Sequence, residues 1–265
     1  MKKVIVELLI IACIFVTFWF ALSKLDWMSI FRIEQISQRT EKKIGDLFVD
    51  IIKKSEIEIT SSSVRYPIDS MLTRICVKNN IDKKQIKYHI IQKDEINAFA
   101  LPNNHIVIYT GLIKACENES ELCGVLCHEM AHLQKKHVMN KLIKDVGLSV
   151  LISMANGNGN GEMIKKTIQH LSSTAYDRNL ESEADITAVD YLVKANIDPE
   201  PFANFLFRQA DEEKIPSQLY WISTHPESKE RSQKIIAHIK SKSIIKAPIL
   251  EDSTWKLLKK KLQEE

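Results

Sequence analysis

His128 and His132 lie four residues apart in the segment His128-Glu129-Met130-Ala131-His132. On an α-helix this spacing places both imidazoles on one face, about one turn apart. The surrounding positions are apolar, so the helix is expected to be buried, and buried imidazoles and carboxylates need partners. The pattern therefore predicts a metal ion bound by His128 and His132, with Glu129 beside it.

Zinc is the metal that suits two imidazoles in a tetrahedral site, and we predict one Zn²⁺ per chain. A neighbouring carboxylate can take the proton of a water molecule that zinc has acidified. One known arrangement adds a Gly and a third His shortly after the motif. Lys135 and Val138 occupy those positions and His137 is one residue out of register, which excludes that arrangement.

A third ligand is predicted from the later segment Arg178 to Asp185. Glu181 and Asp185 are four residues apart and share one helix face. Glu181 is expected to bind the metal, while Asp185 accepts the outer N–H of a ligand histidine. Ala184 is small enough to let the two helices approach closely, and Glu183 is expected to point elsewhere, into solvent.

Residues 1–23 are predicted to be a membrane anchor. Lys2 and Lys3 precede an apolar run of about 19 residues, just long enough to cross a bilayer as a helix. No small-residue cleavage site closes the run, so a retained anchor is favoured over a cleaved signal peptide. Lipidation at Cys13 is a minor alternative. The preferred orientation places the body outside the cytoplasm, in a periplasmic or other extracytoplasmic space.

The rest of the chain is predicted to be mainly α-helical with a small β-sheet. Residues 24–84 form a helical connecting region, residues 85–240 the metal-binding domain and residues 241–265 a basic amphipathic tail. Within the domain, residues 87–91 and 104–110 have the β-branched and aromatic content of strands. The motif helix is expected to begin after an N-cap at Asn118 and to run from about Glu119 to Val138.

Charge and cysteine content exclude some classes. The formal net charge is only +3 and the lysines are spread over surface segments, so no nucleic-acid partner is predicted. Four of the five cysteines lie outside the anchor without a regular disulfide framework.

The two motifs together resemble a known family. The pattern H-E-x-x-H followed by E-x-x-A-D is that of the membrane-associated zinc peptidases that include HtpX, the CAAX prenyl endopeptidase, mitochondrial Oma and bacterial BepA. Two flanking stretches are also similar, Asn97 to Pro102 leading into Tyr109 to Leu112, and Thr224 to Ser228 with Arg231. The resemblance covers roughly residues 85 to 240, and the single N-terminal anchor is closest to the Oma and BepA branch.

The resemblance implies a compact gluzincin-type domain. The strand formed by Ile106, Val107, Ile108 and Tyr109 would be the sheet edge that binds an extended substrate. His225 would lie near the zinc as an oxyanion helper or an inhibitory fourth ligand. Arg231 would help hold the site.

One departure from the family concerns the turn after Pro102. Where the family commonly has two glycines, this chain has Asn103 and Asn104. Asparagine tolerates positive φ better than most residues.

The resulting hypothesis is a zinc endopeptidase that acts in quality control. Its partners would be a polypeptide substrate, misfolded or derived from the membrane or envelope, and the membrane itself through the N-terminal segment. The alternative is a membrane-tethered, chaperone-like binding module whose zinc site stays mostly closed. His225 as a fourth ligand and the Asn/Gly-rich stretch 156–161 motivate that alternative.

Overall fold

The computed structural model describes residue 7 and residues 10–19, 38–211, 225 and 228–264. The chain divides into two compact units, Met1–Arg39 and Thr40–Glu265. In the first unit, residues 10–19 are helical and expose apolar side chains such as Phe15 and Trp19. No helix within the described ranges combines the length and the hydropathy needed to span a bilayer. The other residues of the predicted anchor 1–23 lie outside the described ones, apart from residue 7.

The second unit is mainly helical with one small sheet, which agrees with the predicted α+β class. Its strands are β1 (Lys87–Ile91), β2 (Ala98–Leu101) and β3 (His105–Tyr109). The described helices from residue 38 onward are, in chain order, α1 (Gln38–Ser55), α2 (Ser62–Lys78), α3 (Thr110–Ala115), α4 (Glu119–Gln134), α5 (His137–Val146), α6 (Leu148–Ser153), α7 (Gly161–Ser173), α8 (Arg178–Lys194), α9 (Glu200–Asp211), α10 (Ser228–Ile239) and α11 (Asp252–Glu264). A 3₁₀ turn at Lys83–Gln85 and a π-type turn at Met154–Asn158 complete the described elements.

The sheet has the strand order β1-β3-β2, so β3 is its central strand. It pairs in parallel with β1 and antiparallel with β2. The expectation that residues 106–109 form the substrate-binding edge is therefore wrong, because the backbone groups of β3 are shared between two neighbouring strands. The turn between β2 and β3 has φ values of 62° at Asn103 and 57° at Asn104, as their tolerance of positive φ predicted.

Strand β2 has the outer edge on the side away from β1. Tyr109 N–H donates to the Asn97 carbonyl over 3.0 Å, which fixes the phase of the antiparallel ladder. Since paired and unpaired residues alternate along such a ladder, the backbone groups of Ala98 and Ala100 point away from β3.

Helix α4 carries the histidine motif and lies at the centre of the second unit. It packs against α2, α8, α9 and strand β2. Its first turn is capped as predicted, since the Asn118 side chain accepts from Glu121 N–H over 3.0 Å. The helix ends at Gln134 and not at Val138, because Lys136 adopts a left-handed conformation with φ 58° and a new helix begins at His137.

Two helices outside the predicted metal-binding domain, α2 and α11, pack within the second unit. Helix α11 buries Trp255, Leu258 and Leu262 against α2 and α3. The Lys259 ammonium donates to the carbonyls of Lys114 and Cys116, over 2.7 Å each. Helix α11 is therefore docked through an apolar face and Lys259, while Lys256 and Lys260 are exposed.

Gly124 lets α4 approach α9 closely. A Cβ atom at this position would lie 2.4 Å from the Cβ and Cγ atoms of Phe202, a separation that requires backbone movement. Phe202 is fully buried and contributes to the wall beside the motif helix, with its ring 6.2 Å from that of His128. The glycine therefore sets the spacing of the two helices next to His128.

Replacing Gly124 with Ala is expected to lower the free energy of unfolding by about 1–3 kcal/mol, because overpacking outweighs the gain in helix propensity. Urea denaturation measures the change. The matched control is Gly161→Ala, since a Cβ there meets no atom within 4 Å. Equal effects of the two substitutions would contradict the packing argument.

Candidate metal centre

Three buried side chains from two helices converge on one point. His128 and His132 extend from α4, and Glu181 extends from the first turn of α8. The Nε2 atoms of His128 and His132 are 3.0 Å apart. The Glu181 carboxylate lies beside both nitrogens: its Oε2 is 3.5 Å from His128 Nε2, and its Oε1 is 3.5 Å from His132 Nε2. The three ligands predicted from sequence are thus brought together.

His225 supplies a fourth donor atom to this cluster. Its Nδ1 lies 3.2 Å from His128 Nε2 and 2.9 Å from Glu181 Oε1. All four residues are buried, and one donor atom of each lies within 4.8 Å of every other. His225 therefore lies within the donor cluster, as the resemblance implied.

The spacing of the donors fits a tetrahedral zinc ion. Zn–N and Zn–O bonds of 2.0–2.1 Å imply donors separated by about 3.3 Å. The shortest contacts among the four residues are 2.9 to 3.5 Å, close to that edge length, and one donor atom of each residue lies within 4.8 Å of the others. Two or three imidazoles and one carboxylate are also a donor set that zinc accepts.

Three of the four donors are in the protonation state that binds a metal ion, and His128 is the exception. Burial lowers the pKa of His132 to about 3 and that of His225 to about 4, so both imidazoles are neutral at pH 7. Burial opposes ionisation of Glu181, but His225 and Arg231 hold its pKa well below the usual value. Burial likewise opposes charge on His128, yet hydrogen bonds to Asp185 and Glu181 raise its pKa to about 9. A metal ion must therefore displace one proton from His128.

Asp185 and Arg231 contact the donor residues on the side away from the donor cluster. Asp185 Oδ1 lies 3.0 Å from Nδ1 of His128, the nitrogen that faces away from the cluster. Arg231 binds Asp185 in a bidentate manner, at 2.8 and 2.7 Å. Its Nη1 also lies 3.0 Å from Glu181 Oε2 and donates to the His225 carbonyl over 2.9 Å. One buried guanidinium thus contacts three residues of the site.

Glu129 lies between the donor cluster and the edge of β2. Its carboxylate accepts a hydrogen bond from the backbone of Ala100, and its Oε1 is 3.5 Å from His225 Nε2. Burial and the neighbouring Glu181 raise the pKa of Glu129 to about 8, even though His128 opposes this shift. A carboxyl group with a pKa in this range can exchange protons near neutral pH.

Two residues of the site were not found from sequence. Tyr176, in the connection between α7 and α8, stacks on His132 with ring centroids 4.1 Å apart. His137 places its Nδ1 3.0 Å from His132 Nδ1. The only sequence signal for His137 is its position five residues after His132, one residue out of register with the arrangement that has a third histidine ligand. Glu183 is half exposed, as predicted, but pairs with Lys135 and His137.

The comparisons with known proteins identify the family. The model of Peptidase family M48 matches residues 65–239. The chain belongs to this family. The match includes every residue of the cluster described above.

Three relatives are similar over much of the chain. The beta-barrel assembly-enhancing protease of Yersinia pestis is 26% identical over 70% of this chain and 41% of its own length. The mitochondrial metalloendopeptidase OMA1 of Schizosaccharomyces pombe is 28% identical over 63% and 51%, respectively. The mitochondrial metalloendopeptidase OMA1 of Danio rerio is 27% identical over 72% and 44%. The chain thus spans about half or less of the length of these relatives.

Replacing Arg231 with Met is expected to destabilise the metal-free protein by about 3–5 kcal/mol, because it leaves buried carboxylates without their cation. Saturating zinc should restore part of this loss, since a divalent cation can compensate the charge of Glu181. Urea unfolding with chelator and with zinc measures both effects.

The control for Arg231→Met is Lys229→Met, which removes an exposed cation from the same helix. It should change the free energy of unfolding by less than about 0.5 kcal/mol. A loss at Arg231 that zinc leaves unchanged would contradict the charge-compensation argument.

Proposed function

We propose that this chain is a zinc-dependent endopeptidase. The observation that carries the proposal is the position of Glu129 beside the buried donors His128, His132 and Glu181. In a purely structural zinc site this carboxylate would have no task, and cysteines would be the expected ligands. A base placed next to a hydrolytic metal is instead the arrangement that peptide cleavage needs.

His128, His132 and Glu181 would hold the zinc, which when bound supplies Lewis acidity toward water and the scissile carbonyl. Glu129 would take a proton from the attacking water and then donate it to the leaving amine. The hydrogen bond from Ala100 holds the Glu129 carboxylate at the edge of β2. Asp185 would fix the orientation of His128 by accepting its Nδ1–H.

For His225 we favour the role of an inhibitory fourth ligand over that of an oxyanion helper. Its Nδ1 lies at donor–donor distances from His128 and Glu181, and its ring is buried. In this position the imidazole would complete the tetrahedron, and it would have to leave before water and substrate could bind. Arg231 holds the His225 backbone through its carbonyl, so movement of the side chain is the simpler way to open the site.

The substrate would be an extended polypeptide bound along the outer edge of β2. The backbone groups of Ala98 and the carbonyl of Ala100 face that edge, and strand addition would satisfy them, while the Ala100 N–H already donates to Glu129. The bound chain would then run next to Glu129, which contacts Ala100.

Quality control of membrane or envelope proteins is the setting we propose. The names of the relatives, a beta-barrel assembly-enhancing protease and a mitochondrial metalloendopeptidase, support it. The apolar run within residues 1–23 would anchor the chain in the membrane with the body on the extracytoplasmic side.

A second candidate function is a membrane-tethered, chaperone-like binding module. The observation in its favour is that all four donors and Glu129 are buried, as expected of a site that is mostly closed. Such a module would bind unfolded casein without cleaving it. Cleavage that stops on addition of a chelator would instead identify the endopeptidase.

Replacing Glu129 with Gln should abolish casein cleavage, by a factor of roughly 10² or more, because the general base is lost. The zinc content should stay at one ion per chain. Gel assays and metal analysis measure the two quantities. Glu230→Gln, an exposed carboxylate on α10, is the control and should retain full activity. Retained cleavage by the Glu129 variant would overturn the proposed mechanism.

N-methylation of a peptide substrate, one amide at a time, tests binding at the edge of β2. Only every second residue of an added strand forms backbone hydrogen bonds to its neighbour. Methylation at those alternate positions should therefore lower the kcat/KM of the peptide by about tenfold or more. The intervening positions should be little affected. A series of methylated peptides assayed by mass spectrometry measures this pattern, and a uniform response along the peptide would exclude strand addition.

A further inference from the structure

His137 is a buried histidine that touches the candidate metal centre from outside. It is the first residue of α5 and is 3% exposed. The left-handed backbone of Lys136, with φ 58°, separates α4 from α5, and the two helices are in contact. A non-glycine residue in this conformation costs free energy and persists only when its surroundings require it. This turn places the His137 imidazole against that of His132.

The geometry makes His137 a link between His132 and the protein surface. Nδ1 of His137 lies 3.0 Å from Nδ1 of His132. Its other nitrogen, Nε2, lies 3.3 Å from Glu183 Oε2. The Glu183 carboxylate is 45% exposed and pairs with Lys135 at 2.8 Å.

The proton positions along this link follow from metal binding. His132 faces the other donors with Nε2, so a neutral His132 that binds zinc through Nε2 carries its proton on Nδ1. That proton points at Nδ1 of His137, which must then be the acceptor. His137 therefore carries its own proton on Nε2, and this N–H donates a hydrogen bond to the Glu183 carboxylate.

We propose that His137 is a positioning residue that fixes the tautomer and ring orientation of His132, with Glu183 fixing His137 in turn. This inference rests on the proposed zinc site. The two ligand histidines then have different hydrogen-bond acceptors at Nδ1: the Asp185 carboxylate for His128, and the His137 imidazole for His132.

Charge balance explains why a neutral acceptor suits His132. Glu129, Glu181 and Asp185 are already buried at this site, and Arg231 is the cation that pairs with Glu181 and Asp185. A further buried carboxylate behind His132 would leave an uncompensated negative charge, which is costly in the interior. The imidazole of His137 accepts the hydrogen bond without adding charge.

Zinc affinity of the full chain tests the proposal, measured by competition with a chromophoric chelator. His137→Phe keeps a buried ring but has no acceptor, and it should weaken zinc binding by about 10–100-fold, the usual cost of losing such a partner. His137→Gln keeps an acceptor oxygen and should stay within about threefold of the wild type. The control His170→Phe removes a histidine that pairs with Asp145 away from the donors and should leave the affinity unchanged.

Two further measurements separate positioning from a structural role. In Co²⁺-substituted protein the visible absorption bands should shift for His137→Phe and return for His137→Gln, since they report the ligand geometry. Glu183→Ala, at an exposed position, should weaken zinc binding severalfold without altering the unfolding of the metal-free protein. An unchanged affinity in that variant would remove Glu183 from the proposal.

Wild-type zinc affinity in His137→Phe would overturn the proposal, as would equal losses in the Phe and Gln variants. A wild-type chain that binds no zinc would instead refute the proposed function, and this inference with it. The two failures are therefore distinguishable by the wild-type measurement alone.

Discussion

The pairing of Arg231 with Glu181 and Asp185 is the interaction on which the site depends. Two carboxylates buried among apolar helices would be strongly unfavourable without a cation. The guanidinium reaches both, and it also binds the backbone of His225. Helix α10, which carries Arg231, packs on α8 and α9, so the charge pair also ties these helices together. The site and the packing of the three helices therefore form one unit.

Close helix packing is the second requirement. Gly124 allows α9 to approach α4, and Ala184 is fully buried where α8 crosses the motif helix. The small side chain of Ala184 is compatible with a close approach of α8, which carries Glu181, to the helix of the two histidines. A larger side chain at Ala184 would push α8 outward and lengthen the distance from Glu181 to both imidazoles. Residues without any chemical role thus determine the geometry of the donors.

Helix periodicity explains what could be predicted from the sequence. Four-residue spacing places His128 with His132, and Glu181 with Asp185, on shared faces, and the N-cap at Asn118 followed from the local residue types. The strand order could not be predicted in this way. All three strands are almost completely buried, so no alternation distinguishes the central strand from an edge.

His137 and Tyr176 were missed for a different reason. Each reaches His132 through a connection between helices, and the conformation of a connection is not contained in a periodic pattern. At Lys136 the backbone adopts a left-handed conformation that lysine rarely takes, so continuing the helix to Val138 was the natural prediction. The contacts of His137 and Tyr176 with His132 can therefore be recognised only in the tertiary structure.

The donors are far apart along the chain, and this separation has a consequence for biosynthesis. His128 and His225 are separated by 97 residues, so the first histidine leaves the ribosome long before the last. At roughly 5–20 residues per second, the delay is about 5–20 seconds. Arg231 emerges later still, and without it Glu181 and Asp185 lack their buried cation. A nascent chain therefore carries the histidine motif for seconds before Arg231 can neutralise the buried carboxylates beside it.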